Sequence, residues 1–146
     1  MKILLIDDSK TALSMTKIIL QKENHIVECS TNGQEALEVL KKTIDFDLIL
    51  LDWQMPVLDG PGFLNALLEK RITYASIVVL TAESNPTKVM ELLKMGVPVG
   101  VLDYVLKPFT KDILLDRIKK LQLKIQRQKA MYAKQIQALV ENLTKT

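Results

Sequence analysis

The stretch Leu48-Ile-Leu-Leu-Asp-Trp-Gln-Met-Pro-Val-Leu-Asp-Gly60 drives four consecutive apolar residues into a carboxylate. A short unbroken apolar run reads as a strand buried on both faces, as in the interior of a parallel sheet. Asp52 ends that run with a charge. A buried, unpaired carboxylate is costly, so Asp52 must reach solvent, a counter-ion or a chemical modification.

Around this stretch, short apolar runs alternate with helical patterns. Ile3–Ile6 reads as a buried strand, and Ser9–Gln21 as a helix capped by Asp8 or Ser9. Ile26–Cys29 is a second, more polar strand suited to an edge. Residues 33–42 form a helix with Ala36, Leu37 and Leu40 on one face. After the third strand, Leu48–Leu51, a helix begins at Pro61 or Gly62 and runs to Lys70, with Pro61 suited to a first turn. Ile77–Leu80 is the fourth strand, followed by a helix from Pro86 to Met95 that Gly96 stops. Val101–Leu106 is the fifth strand, and Thr110 caps a last helix reaching nearly to the end of the sequence. Five strands alternating with five helices imply an α/β fold with a parallel sheet covered on both faces.

The polar residues that follow the strands gain meaning from that fold. Ligands of parallel α/β sheets bind beyond the carboxyl ends of the strands, near the point where strand order reverses. Asp7 and Asp8 follow strand one, Asp52 strand three, Thr81 strand four and Lys107 strand five. In a sheet of order 2-1-3-4-5, strands one and three are neighbours and the three carboxylates meet. Two like charges about 4 Å apart repel by roughly 4 kcal/mol at an effective dielectric near 20. Such a cluster calls for a cation, and oxygen ligands with few protein donors suit Mg²⁺. Singly, each residue has a plain structural reading: Asp8 a helix cap, Asp52 the first loop residue, Lys107 a surface lysine. Together they form a constellation that such readings do not explain.

Composition bounds the alternatives. The 146 residues are 48% hydrophobic and 25% charged, the balance of a globular domain with a real core. One cysteine, Cys29, offers neither a disulfide framework nor a metal quartet, and its apolar-leaning strand makes it a buried thiol. Met1-Lys-Ile-Leu-Leu-Ile meets Asp7-Asp8 too early for a signal peptide, and no apolar run approaches membrane-spanning length, so the expected location is cytoplasmic. His25 lies far in sequence from the strand ends and reads as a solvated strand residue.

Four segments, Asp7-Asp8, Asp52-Trp-Gln-Met-Pro-Val-Leu-Asp-Gly60, Thr81-Ala-Glu83 and Tyr104-Val-Leu-Lys-Pro-Phe109, make residues 1–120 resemble the receiver domain of two-component response regulators, chemotaxis type. The resemblance implies a flavodoxin-like doubly wound five-stranded sheet, order 2-1-3-4-5, and supplies part of the case for that order. It implies that Asp52 accepts a phosphoryl group from a histidine kinase or phosphotransfer protein. It implies that Asp8 and Asp52 bind Mg²⁺ through side chains, Gln54 through its backbone carbonyl and Asp7 through water. Thr81 and Lys107 then contact the phosphoryl oxygens, the Lys107–Pro108 bond is cis, and Thr81 with Tyr104 relays the switch. Two other readings of an aspartate on an α/β sheet are weaker. A haloacid-dehalogenase-like phosphohydrolase would carry a second Asp where Gln54 stands, and Asp7-Asp8 would repel the phosphate of a flavin carrier. A phosphorylation-independent docking module is a further alternative.

Two features depart from the resemblance. The chain between Thr81 and Lys107 is longer than the family pattern, around residues 95–100. The second departure is the tail, 121–146, a helical extension with different chemistry. Residues 1–116 hold 12 Lys/Arg and 16 Asp/Glu, net −4, while residues 117–146 hold 8 and 1, net +7. Ile136, Leu139, Val140 and Leu143 form an apolar stripe that continues loosely from Ile118, Leu121, Ile125 and Tyr132. A homodimer through this helix is the expectation, although a parallel heptad coiled coil fits poorly and the spacing stutters between Tyr132 and Ile136. An acidic protein surface is a second partner for the basic helix, and a linker to an output domain a third reading. With Tyr132 as the tail's single aromatic and no base-reading motif, nucleic acid and membrane are not favoured.

Overall fold

The computed structural model describes residues 1–43, 45–70 and 75–145. Five strands, β1 (Lys2–Ile6), β2 (Ile26–Ser30), β3 (Leu48–Asp52), β4 (Ser76–Thr81) and β5 (Val101–Leu106), form one parallel sheet in the order β2-β1-β3-β4-β5. Helices α1 (Lys10–Lys22), α2 (Gly33–Lys42), α3 (Gly60–Lys70) and α4 (Pro86–Gly96) lie between the strands, and α5 spans Lys111–Thr144. The chain divides into two compact units, Met1–Thr110 and Lys111–Thr146.

Local chemistry accounts for the helix starts. Ser9 Oγ accepts the Ala12 N–H at 3.2 Å, Asn32 Oδ1 that of Glu35 at 2.9 Å, and Asn85 Oδ1 that of Thr87 at 2.9 Å. Each cap satisfies a donor that has no partner inside its own helix. Between the two caps considered for α1, the structure selects Ser9. Asp8 stays exposed.

Alternation within the strands divides the core. Leu4, Ile6, Ile49, Leu51, Ile77 and Val79 face one way and pack with Ala36, Leu37 and Leu40 of α2, Phe63, Leu64 and Leu67 of α3, and Leu92 of α4. Ile3, Leu5, Leu48, Leu50, Val78 and Leu80 face the other way and are equally buried. Leu48–Leu51 is therefore covered on both faces, as its unbroken apolar run requires. In α5 the buried residues are Leu114, Ile118, Leu121 and Ile125.

One boundary is corrected. Gly96 does not stop α4. It keeps right-handed angles (φ −86, ψ −35), and the chain passes through a 3-10 turn at Val97–Val99 before Gly100 ends it at φ +115. Gly96 is a glycine for lack of room: a Cβ there would stand 2.6 Å from Val101 Cγ2. The extra residues of this segment thus extend the helix end.

Candidate functional site

The register of the sheet brings the polar residues to one level. Ile6 pairs with Leu51, Asp52 with Leu80, and Thr81 with Leu106. The residues ending these strands, Asp7, Asp52, Thr81 and Lys107, are consequently neighbours. Backbone bonds continue the ladder past the strand ends, from Asp7 N–H to Ser30 O (3.1 Å), Trp53 N–H to Leu80 O (3.0 Å) and Lys107 N–H to Thr81 O (2.8 Å). The Lys107–Pro108 peptide bond is cis.

Carboxylate oxygens of Asp7, Asp8 and Asp52 all lie within 4.8 Å of one another. Asp7 and Asp52 are buried, 4% and 6% exposed, while Asp8 opens to solvent. Lys107 Nζ stands 3.2 Å from Asp7 Oδ2 and 3.2 Å from Asp52 Oδ1, one cation shared by two buried anions. Asp7 Oδ1 accepts the Ser9 N–H at 2.9 Å, so both Asp7 oxygens already have partners.

The charges are poorly balanced. Burial drives the Asp52 carboxyl to a pKa of about 6; Lys107 opposes the rise, and Asp7 and contact with Asp8 reinforce it. At Lys107 burial pulls the ammonium down, but Asp52 and Asp7 together outweigh it and hold the group above the ordinary lysine range. One lysine does not neutralise three carboxylates. A compact all-oxygen donor set with excess negative charge fits a small hard cation such as Mg²⁺.

Thr81 is 2% exposed and its hydroxyl oxygen accepts the Glu83 N–H at 3.1 Å. Its own O–H is thereby left to donate. Tyr104 lies in β5, half-buried against the core on the α2–α4 side. Gln54 lines a cleft of about 500 Å³ with Asp8, Trp53, Met55, Pro56, Asp59 and Pro61. Asp7, Asp8 and Asp52 are thus in mutual reach, Lys107 joins Asp7 and Asp52, Thr81 is at their level, and Tyr104 is set back within its strand.

The loop shaping this cleft holds details that sequence reasoning missed. Leu58 N–H bonds Pro56 O at 2.8 Å across Val57, whose φ of +68 is unusual for a β-branched residue. Gly60 lies beneath the Trp53 ring: a Cβ would approach Trp53 Cε3 to 2.4 Å. Asp59 caps α3 by accepting the Gly62 N–H at 2.9 Å. The Asp59-Gly60 pair was a visible signal for that cap; nothing marked Val57. Ser30 was also missed, its Oγ buried with no hydrogen-bond partner.

A 2-1-3-4-5 parallel sheet with an acidic, cation-seeking cluster at its switch point defines a flavodoxin-like α/β domain. The model of the response regulator receiver domain family matches residues 3–119, and the chain belongs to that family. It is 31% identical over 121 residues to a chemotaxis protein CheY homolog of Campylobacter jejuni, covering 81% of this chain and 89% of that protein. The transcriptional regulatory protein ResD of Bacillus subtilis is 32% identical over 120 residues, covering 82% of this chain and 47% of ResD. Among solved structures, chemotaxis response regulator CheY4 of Vibrio cholerae superposes with a TM-score of 0.71 at 32% identity, covering 82% of this chain and 96% of that one. The domain is chemotaxis-regulator-like and belongs to two-component signal transduction. No helix among the described residues is long and apolar enough to cross a membrane.

Proposed function

We propose that this chain is a phosphorylation-driven switch whose acceptor is Asp52. The observation that carries the reading is Asp52 itself: buried, elevated in pKa, 3.2 Å from Lys107 and clustered with two further carboxylates. The donor is the phosphohistidine of a histidine kinase or phosphotransfer protein. An Asp52 carboxylate oxygen attacks phosphorus, the bond from phosphorus to the histidine nitrogen breaks, and its electron pair leaves with the imidazole, which takes up a proton. Phosphoryl transfer of this kind depends on positioning and electrostatics.

Lys107 holds the attacking carboxylate in place and meets charge on the transferred oxygens. Thr81, its oxygen already accepting from Glu83, turns its O–H to one of them. Asp8, Asp52 and the Gln54 backbone carbonyl would hold Mg²⁺. Asp7, with both oxygens engaged by Ser9 and Lys107, would reach it through water. When bound, the ion supplies charge neutralisation between the carboxylates and the incoming phosphoryl group. The chain is then a signalling protein that catalyses its own phosphorylation and dephosphorylation, and it passes the change to an output partner or domain through Thr81 and Tyr104. Gln54, in place of a second acid, argues against a phosphohydrolase acting on separate substrates.

Intact mass after incubation with acetyl phosphate tests the reading against a docking module that needs no phosphate. Wild type should gain one phosphoryl group only with Mg²⁺, Asp52→Asn none, and Lys107→Ala much less than wild type. A wild-type chain that never gains mass under conditions that preserve acyl phosphates refutes it.

A further inference from the structure

Helix α5 carries an eleven-residue repeat that is apolar at every position but Lys129: Leu114, Ile125 and Ile136; Leu121, Tyr132 and Leu143; Ile118, Lys129 and Val140. About 3.67 residues per turn matches a helix so closely that the repeat keeps to one face with little supercoiling. The apparent stutter between Tyr132 and Ile136 is a step of this longer period. The first part of the stripe, Leu114, Ile118, Leu121 and Ile125, is buried. From Gln126 to Lys145 every residue is exposed. Tyr132 is 62% exposed, Ile136 61%, Leu139 64%, Val140 52% and Leu143 75%, all on the continuation of that face.

We propose that this distal face is an antiparallel self-association surface whose occupant is the same segment of a second copy of this chain. The proposal is independent of the assignment of Asp52. Charge placement selects the occupant. Of the eight Lys/Arg in residues 117–146, six lie at or before Lys129, whereas the exposed stripe beyond it is flanked by uncharged residues. Ala133 and Val140 border one side, and Gln128, Gln135 and Asn142 the other. Lys134 and Glu141 fall on the opposite side of the helix at its 3.6-residue turn. An acidic protein, nucleic acid or anionic membrane would be met by cations beside the apolar stripe. A neutral border suits another neutral border.

The borders also select the direction. Parallel pairing sets the Gln135 border against the Val140 border and stacks Lys129 on Lys129 within the stripe. Antiparallel pairing, with Tyr132 opposite Leu143 and Ile136 opposite Leu139, sets Ala133 beside Val140 and Gln135 beside Asn142. It brings Lys129 to the last turn of the other helix, where free carbonyls favour a cation.

Sedimentation of the full chain over rising concentration tests the association. Wild type should reach twice the chain mass, and Leu139→Glu, altered at an exposed site, should stay at one chain mass while keeping the wild-type circular dichroism spectrum. A monomeric wild type at high micromolar concentration, or an unaltered dimer of Leu139→Glu, overturns the proposal. Disulfide trapping in a Cys29→Ser background tests the direction. A mixture of Tyr132→Cys and Leu143→Cys chains should give the mixed disulfide in large excess over either self-linked product. Efficient self-linking of Leu143→Cys alone would mean a parallel pair and overturn the orientation.

Discussion

At Asp52 the burial that shapes the proposed acceptor works against the stability of the fold. Its carboxyl rises from an ordinary 3.8 to about 6, chiefly through burial. Between these values the folded chain holds a proton that the unfolded chain has released, so stability falls as pH climbs from about 4 to about 6 and stays lowered above that. Asp52→Asn removes the penalty. In the absence of divalent cations the variant should be more stable than wild type at pH 7 by on the order of 2 kcal/mol, the gap closing near pH 4. Equal melting temperatures at pH 7 would contradict the burial argument. Saturating Mg²⁺ should stabilise wild type more than the variant, because only wild type offers the full carboxylate set. Trp53, half-buried beside the site, gives that titration a fluorescence readout. Ser30 carries the opposite lesson. Its buried hydroxyl has no partner, so Ser30→Ala should be neutral or raise stability by about 1 kcal/mol, read from the denaturant midpoint. Asp52 announced itself in the sequence because a charge follows an apolar run. Ser30 gave no signal, since a small polar residue at a strand end looks the same buried or exposed.

At the scale of the element, what was legible depended on periodicity. The span 33–42 for α2 and Val101–Leu106 for β5 follow from apolar spacing and bounding polar residues, and the structure agrees with both. The end of α4 does not, because two glycines four residues apart, Gly96 and Gly100, serve different needs there. Space fixes Gly96, and backbone angle fixes Gly100. Gly100→Ala should cost about 1–2 kcal/mol through its φ of +115, with little repacking of neighbouring side chains. Gly96→Ala should instead disturb Val101, visible as shifts of its methyl resonances. If Gly100→Ala proves neutral in denaturant unfolding, the left-handed terminator is not what ends this segment. The strand order was legible only with help from the resemblance. A strand buried on both faces has apolar residues throughout and names no neighbour.

At the scale of the whole molecule, one sheet gathers five polar side chains, and the proposed switch would report their state. Phosphate at Asp52 can shift the chain only by favouring one of two arrangements. Thr81 and Tyr104, on adjacent strands β4 and β5, are the residues proposed to differ between them. Thr81→Ala should still accept phosphate while the Tyr104 ring resonances respond weakly; a wild-type response in that variant would refute the coupling. The partners of such a switch are less legible than its chemistry, since a surface that fits another protein follows no fixed spacing. Everything rests on which carboxylate takes the phosphoryl group, and trapping answers that directly. After incubation with acetyl phosphate and Mg²⁺, borohydride reduces an aspartyl phosphate to homoserine, and peptide mapping locates it. The expected result is homoserine at position 52 alone, lost when Mg²⁺ is withheld. Homoserine at position 7 or 8 instead, or unchanged aspartate at all three, would contradict the account.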